Sequence, residues 1–293
     1  EFSAGVQHEL APRVGIDVSY FRRWYGNFPV WDDRSAGPAD YDLAHVTVPR
    51  DPNLPDGGGY TVSVYDLKSN RPLSNINYLA PDGVKSETWQ GVDVTANARL
   101  QNGLVLQGGV SGGYRVRDDC ELARTNPEIL HEFIWTGPTR GFFFAARPLE
   151  LCRREDPWQT QIKALGTYVI PRIDVQVSGT FQSLPGPIVE ANYNSFSSGD
   201  LGRPWSIGPF RTIQIIPTGE ITGDRLNQFD FRLAKIFKAG GTRTLVNFDL
   251  YNLFNANPVI LENPAYGAWT PAGRAASGVL QARFFKIGAQ FDF

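Results

Sequence analysis

Apolar and polar residues alternate with a period of two through much of this chain, the signature of strands with one apolar face. In the last segment Phe285, Ile287, Ala289, Phe291 and Phe293 fall on one side of the backbone, with Lys286, Gly288, Gln290 and Asp292 on the other. The same alternation runs through residues 2–10, 14–20, 92–100, 104–110, 162–170, 173–181, 229–233 and 246–250, so the pattern predicts nine strands in all. The longest apolar run is only Phe142 to Ala146, far short of the ~20 residues a membrane-spanning helix requires.

The connections between predicted strands alternate in length without exception. Tight turns fall at Ala11-Pro12-Arg13, Gln101-Asn102-Gly103, Ile170-Pro171-Arg172 and Ala239-Gly240-Gly241, where Pro fixes φ and Gly or Asn tolerates positive φ. Long connections cover residues 28–85, 118–156, 184–226 and 257–280. A soluble sandwich has no reason to sort its loops by end, whereas a bacterial outer-membrane barrel has short periplasmic turns and long extracellular loops. The expected fold is therefore all-β, a transmembrane antiparallel β-barrel. Its apolar face would meet lipid and its charged face would line a wet lumen. Arg99, Lys163, Asp230, Arg232 and Asp249 are the candidate lumen residues, placed to contact a plug or solute or to pair with one another. Phe21, Trp24, Tyr25, Trp158, Tyr251 and Phe254 gather near strand ends, as an interfacial girdle would. Nine strands leave two open edges and an odd count, so the barrel is expected to close with strands outside this sequence.

Composition sharpens this picture. The net charge of −2 gives no support to a nucleic-acid partner, and 13% aromatic residues beside plentiful Gly suit a barrel. The 293 residues contain no Met and open inside a strand pattern, which predicts a piece of a longer chain. Cys120 and Cys152 lie in one polar interval. Spacing and compartment favour a disulfide over two free thiols, and closing a loop of that length contributes roughly 3–4 kcal/mol on chain-entropy grounds.

Candidate chemistry is sparse, and no catalytic residue, metal site or cofactor is expected. Gly109-Val110-Ser111-Gly112-Gly113 fits the G-x-S-x-G nucleophile pattern, but that motif needs a strand, a sharp turn and a helix, and here it lies within an alternating strand. His8, His45 and His131 are scattered without metal-ligand spacing. The first long loop is acidic, with Asp32, Asp33, Asp40, Asp42, Asp51 and Asp56. Such carboxylates can hold Ca²⁺, but EF-hand spacing is absent and a solvated loop is the simpler expectation.

Three blocks carry a family resemblance: residues 225–232 (Arg225-Leu226-Asn227-Gln228-Phe229-Asp230-Phe231-Arg232), residues 248–255 (Phe248-Asp249-Leu250-Tyr251-Asn252-Leu253-Phe254-Asn255) and the alternating end at residues 284–293. Together they resemble the C-terminal strands of TonB-dependent outer-membrane receptors, in the variant with a carboxypeptidase-regulatory-like N-terminal domain. The match is specific over roughly the last 70 residues; upstream it is a compatible strand-and-loop pattern. The resemblance implies a 22-stranded barrel in the outer membrane of a Gram-negative-type bacterium, enclosing a plug and taking up a small solute. Its partners would be outer-membrane lipid, the remaining strands and plug of the same receptor, and TonB through N-terminal parts not in this sequence. Phe285, Ile287, Phe291 and Phe293 resemble the C-terminal signal read by the outer-membrane assembly machinery. Two other readings stay open: a passive porin or surface-structural barrel, and a soluble β-sandwich or outer-membrane hydrolase.

Overall fold

The computed structural model describes residues 1–69, 75–81, 83–135, 142–239, 241–270 and 272–292, so Gly240 of the fourth tight turn and Phe293 of the terminal alternation lie outside the described residues. The nine predicted strands all form. They are β1 (Phe2–Ala11), β2 (Val14–Tyr25), β3 (Ser86–Arg99), β4 (Val105–Asp118), β5 (Gln159–Ile170), β6 (Val175–Leu184), β7 (Leu226–Ala239), β8 (Thr242–Tyr251) and β9 (Phe284–Asp292). They pair antiparallel in sequence order, an up-and-down barrel wall. A short strand, Arg153–Glu155, pairs with the upper end of β4.

Register turns the alternation into two faces. Val6, Val18, Val94, Val110 and Ile162 come abreast on one face, and Ser19, Asp93, Ser111 and Gln161 on the other. The apolar face stays uncovered: Val6, Phe285 and Ile287 are 71%, 65% and 68% exposed. Among the described residues β1 and β9 each pair on one side only, so the sheet they form is open at both edges.

The short turns all fall at one end of the sheet. Arg13 (φ 68°) and Arg172 (φ 66°) follow prolines and adopt the left-handed conformation themselves, a role usually left to Gly or Asn. Ile173, expected to open β6, belongs instead to the turn 171–174.

The four long connections are where the structure adds most. The first holds two strand pairs, Pro29–Asp33 with Asn75–Leu79 and Tyr41–Thr47 with Thr61–Leu67. The second pairs His131–Trp135 with Phe142–Ala146, the third pairs Asn192–Ser195 with Arg211–Gln214, and the fourth pairs Val259–Glu262 with Ala276–Val279. The second and third loops join in one four-stranded sheet through parallel pairing of Ala145 with Thr212 and Ala146 with Ile213. Val46 and Val64 from the first loop, Ala146 from the second, Val189, Ile213 and Ile216 from the third and Trp269 from the fourth share one buried core. No loop alone could bury that apolar surface; together they form a folded layer over one end of the wall. Cys120 and Cys152 are disulfide-bonded with Cα atoms 4.7 Å apart, closing the base of the second loop.

Candidate functional site

The polar face of the wall carries the charged candidates, and register decides what each can do. Arg232 and Asp249 sit directly opposite on β7 and β8 and form a bidentate pair, with Nη2 2.9 Å from Oδ2. Asn247 Nδ2 donates to the same oxygen at 2.9 Å, and Asp249 is only 3% exposed. Asp230 accepts from Gln228 Nε2 and from the backbone N–H of Asn252, both at 2.8 Å, so it secures the start of the fourth loop. Lys163 has no ion-pair partner among the described residues. It points into a hollow of about 680 Å³ lined also by Asp93, Gln107, Ser111, Gln161, Gln182 and Asp230. Arg99 lies apart, near the turn end beside Glu9 and Arg13. The structure thus brings Arg232 and Asp249 into contact, gathers Lys163 and Asp230 around one hollow and leaves Arg99 separate.

Sequence reasoning missed the upper inner wall. β3 and β4 run six and eight residues past the apolar alternation: the outward face of β3 turns polar at Ser86, Thr88 and Gln90, and that of β4 is broken by Gly112 ahead of Tyr114 and Val116. The extension places Trp89 flat over Gly91 and Gly113, where an added Cβ would come within 2.6 and 2.7 Å of the indole. The Arg23 guanidinium covers the ring at 5.5 Å. Around it lie the pairs Arg23–Glu1 (3.0 Å), Arg117–Glu87 (3.1 Å) and Arg115–Asp156 (2.9 Å). The clue available in the sequence was continued alternation of Glu87, Trp89 and Gly91.

The expected aromatic girdle divides between the faces. Trp24 shares the outward parity of Val18, Trp158 packs on outward Tyr114 at 6.0 Å, and Phe254 packs on outward Phe229 at 5.9 Å. Phe21, Tyr25 and Tyr251 have the parity of Asp17 or Asp249 and face inward. Phe285, Ile287 and Phe291 all lie on the outward face of β9. Ser111 sits mid-strand between Asp93 and Gln161, with no strand-to-helix turn around it.

The loop layer fixes its charges internally. Asp66 is fully buried and accepts from Arg203 Nη1 (2.6 Å), Ser206 N (3.1 Å) and Ser206 Oγ (2.8 Å), while Arg203 Nη2 reaches Asp42. Arg147 and Asp119, both buried, are 2.7 Å apart. His45 pairs with Asp200 at 2.7 Å, joining the first loop to the third. His131 accepts from buried Arg211 at 2.7 Å; burial, then the adjacent guanidinium, push its pKa down to about 3, so the imidazole is neutral. Burial likewise drives the Tyr60 phenol up to about 12, and its hydroxyl donates to the Ile215 carbonyl. The first-loop acids are dispersed: Asp32 to Asn126, Asp40 to the Gly37 N–H, Asp51 to Asn53 and Tyr266. Among the described residues no three His, Cys, Asp or Glu side chains are arranged to hold a metal.

No protein-family model matches the chain, and no curated protein matches it by sequence. Among solved structures the chain is similar to the outer membrane transporter YddB from Escherichia coli, with 10% sequence identity and a TM-score of 0.45. The match covers 98% of this chain and 31% of that one, so the chain spans about a third of that transporter's length.

Proposed function

We propose that this chain forms part of the wall of a transmembrane β-barrel in the outer membrane of a Gram-negative-type bacterium, within a TonB-dependent receptor that takes up a small solute. The observation that carries the reading is the outward face of β7. Between Arg225 and Lys235 it presents Asn227, Phe229, Phe231 and Leu233, with no ionisable group. Those ten steps, at ~3.3 Å each and tilted by ~40°, rise about 25 Å, the height of an outer-membrane barrel's apolar band. The opposite face carries most of the wall's hydrogen-bonding and charged groups, interrupted by Leu165, Val169, Ile236 and Leu245, as the side turned to a lumen would.

On this reading the folded loop layer is extracellular, and the hollow around Lys163 and Asp230 faces a plug or the passing solute. TonB engages parts of the receptor outside this sequence. Further strands pair with β1 and β9, since lipid does not tolerate an open sheet edge. The wall performs no covalent chemistry; it orients polar groups along a path.

The test uses the full-length protein with an epitope inserted between exposed Gly208 and Pro209. Antibody labelling of intact cells, detergent-dependent extraction and capture of TonB are the expected results. Labelled cells with no TonB capture would leave a passive pore. Recovery in buffer without detergent would remove the membrane assignment.

A further inference from the structure

The outward face carries few charged side chains, and the one acid among them is already paired. On the nine strands and their immediate ends, tyrosines aside, they are His8, Arg22, Asp118, Arg225, Lys235 and Arg283. Asp118 is taken by Arg153 at the base of the second loop. Near the loop end of the wall that leaves three arginines, Arg22, Arg225 and Arg283, none with a carboxylate partner among the described residues; Arg283 donates to the Leu253 carbonyl at the base of the fourth loop, and the other two stand on the wall itself. Inward-facing arginines at the same end behave differently: Arg23, Arg115 and Arg117 all have acids.

Each outward arginine is held by neutral groups that leave guanidinium edges free. Arg22 lies 5.3 Å over the ring of Trp24 and makes no hydrogen bond among the described residues. Abreast of it is Gln90, bonded to both Tyr20 and Tyr114. Arg225 donates Nε to Ser183 Oγ at 2.7 Å and Nη2 to the Thr160 carbonyl at 2.5 Å, which spreads it across the outside of three strands. Its Nη1 has no partner among the described residues. A planar guanidinium, braced by neutral contacts beside aromatic and amide side chains at an apolar border, suits bidentate recognition of a phosphate.

We propose that Arg22 and Arg225 are docking points for the phosphate groups of lipids in the leaflet that meets the loop end. The inference rests on the membrane reading above and adds to it a ligand class and two residues. Charge complementarity identifies the occupant: the flanking band is apolar, so the partner has acyl chains, and the unpaired groups are cationic, so its head is anionic. Lipid phosphates fixed at these points anchor the wall's vertical position and supply the counter-charge that the protein omits.

Spin-label resonance of lipids around the full-length protein in phosphatidylcholine bilayers tests this, because it counts motionally restricted lipid and its head-group selectivity separately. Spin-labelled phosphatidic acid should be favoured over spin-labelled phosphatidylcholine. The double variant Arg22→Gln, Arg225→Gln should lower that preference roughly twofold or more, while Arg22→Lys, Arg225→Lys retains most of it. Restricted lipid with a preference unchanged in the glutamine variant would overturn the phosphate assignment. Absence of any restricted lipid with either probe would overturn the membrane reading itself.

Discussion

Asn252 is 2% exposed and sits at φ 52°, immediately after β8 ends. Its side chain donates to the carbonyls of Ala256 (2.8 Å) and Gln281 (2.9 Å) and accepts from Ala256 N–H (2.8 Å), so one residue ties both ends of the fourth loop to the wall. Asn255, also left-handed at φ 53°, accepts from the Arg283 N–H on the returning segment. This explains why an Asn-Leu-Phe-Asn block stands here: both Asn residues tolerate the left-handed backbone and bond across the loop base. Asn252→Ala strands buried polar groups and strains the backbone, and should cost about 3 kcal/mol; Asn252→Gly relieves the strain and should recover about 1 kcal/mol of that. Urea unfolding of the reconstituted protein, with proteolysis of residues 252–283 as a local readout, measures both. A second residue gives a pH dependence. His131 titrates near 3 when folded and near its ordinary 6.5 when unfolded, so between these values the unfolded chain binds the extra proton. Its contribution is fully present above pH 6.5 and falls by roughly 1.4 kcal/mol for each unit of acidification below that. His131→Gln should flatten the acid limb of loop-layer stability followed by hydrogen exchange; an unchanged slope would place the titrating group elsewhere.

At the scale of elements, the wall and the loop layer differ in how far the sequence reveals them. All nine wall strands were legible because alternation is a local property: each strand states its own two faces regardless of its partners. The ends of β3 and β4 are not, because the outward side of β3 becomes polar at Gln90, Thr88 and Ser86 before the strand stops, and in β4 Gly112 breaks the run ahead of Tyr114 and Val116. The girdle is only half legible for a different reason: Phe21 and Trp24 are three apart and so point to opposite faces. The loop layer left almost no trace. Ala44, Val189 and Trp269 share a core but sit in three separate loops, and Ala145 pairs with Thr212 from another loop entirely. Arg232 and Asp249 could be placed on one face from sequence, but their contact required the β7–β8 register. The shared core makes a definite prediction: the loops unfold together. Ile213→Ala, at a site with no exposure, should cost roughly 2–4 kcal/mol and speed amide exchange in the first, second and fourth loops as well as the third. Faster exchange confined to residues 185–225 would mean the loops are independent. Reducing the Cys120–Cys152 bond acts on the same layer by freeing the base of the second loop, with a loss of about 3–4 kcal/mol expected.

For the whole molecule, the decisive question is which medium each face meets, and two adjacent residues ask it directly. Val110 lies at mid-height on the outward face of β4, 43% exposed, between Val94 and Ile162. Ser111, the next residue, faces inward between Asp93 and Gln161. If the outward face meets hydrocarbon, Val110→Lys places an ammonium near the bilayer centre and should destabilise by about 2–4 kcal/mol. Ser111→Lys enters a wet, acid-bearing surface and should change stability by less than about 0.5 kcal/mol. A water-soluble sheet would treat the pair differently, because both positions are already partly exposed and a lysine at either is solvated; both substitutions would then cost about the same small amount. The comparison holds strand, hairpin and added charge constant and varies only the face, so differences in expression or loop folding largely cancel. Urea titration in lipid vesicles gives both values. A gap of about 2 kcal/mol or more between neighbours means that β4 separates lipid from lumen, and equal values mean that the apolar face, despite its length and its cationic borders, is turned to water.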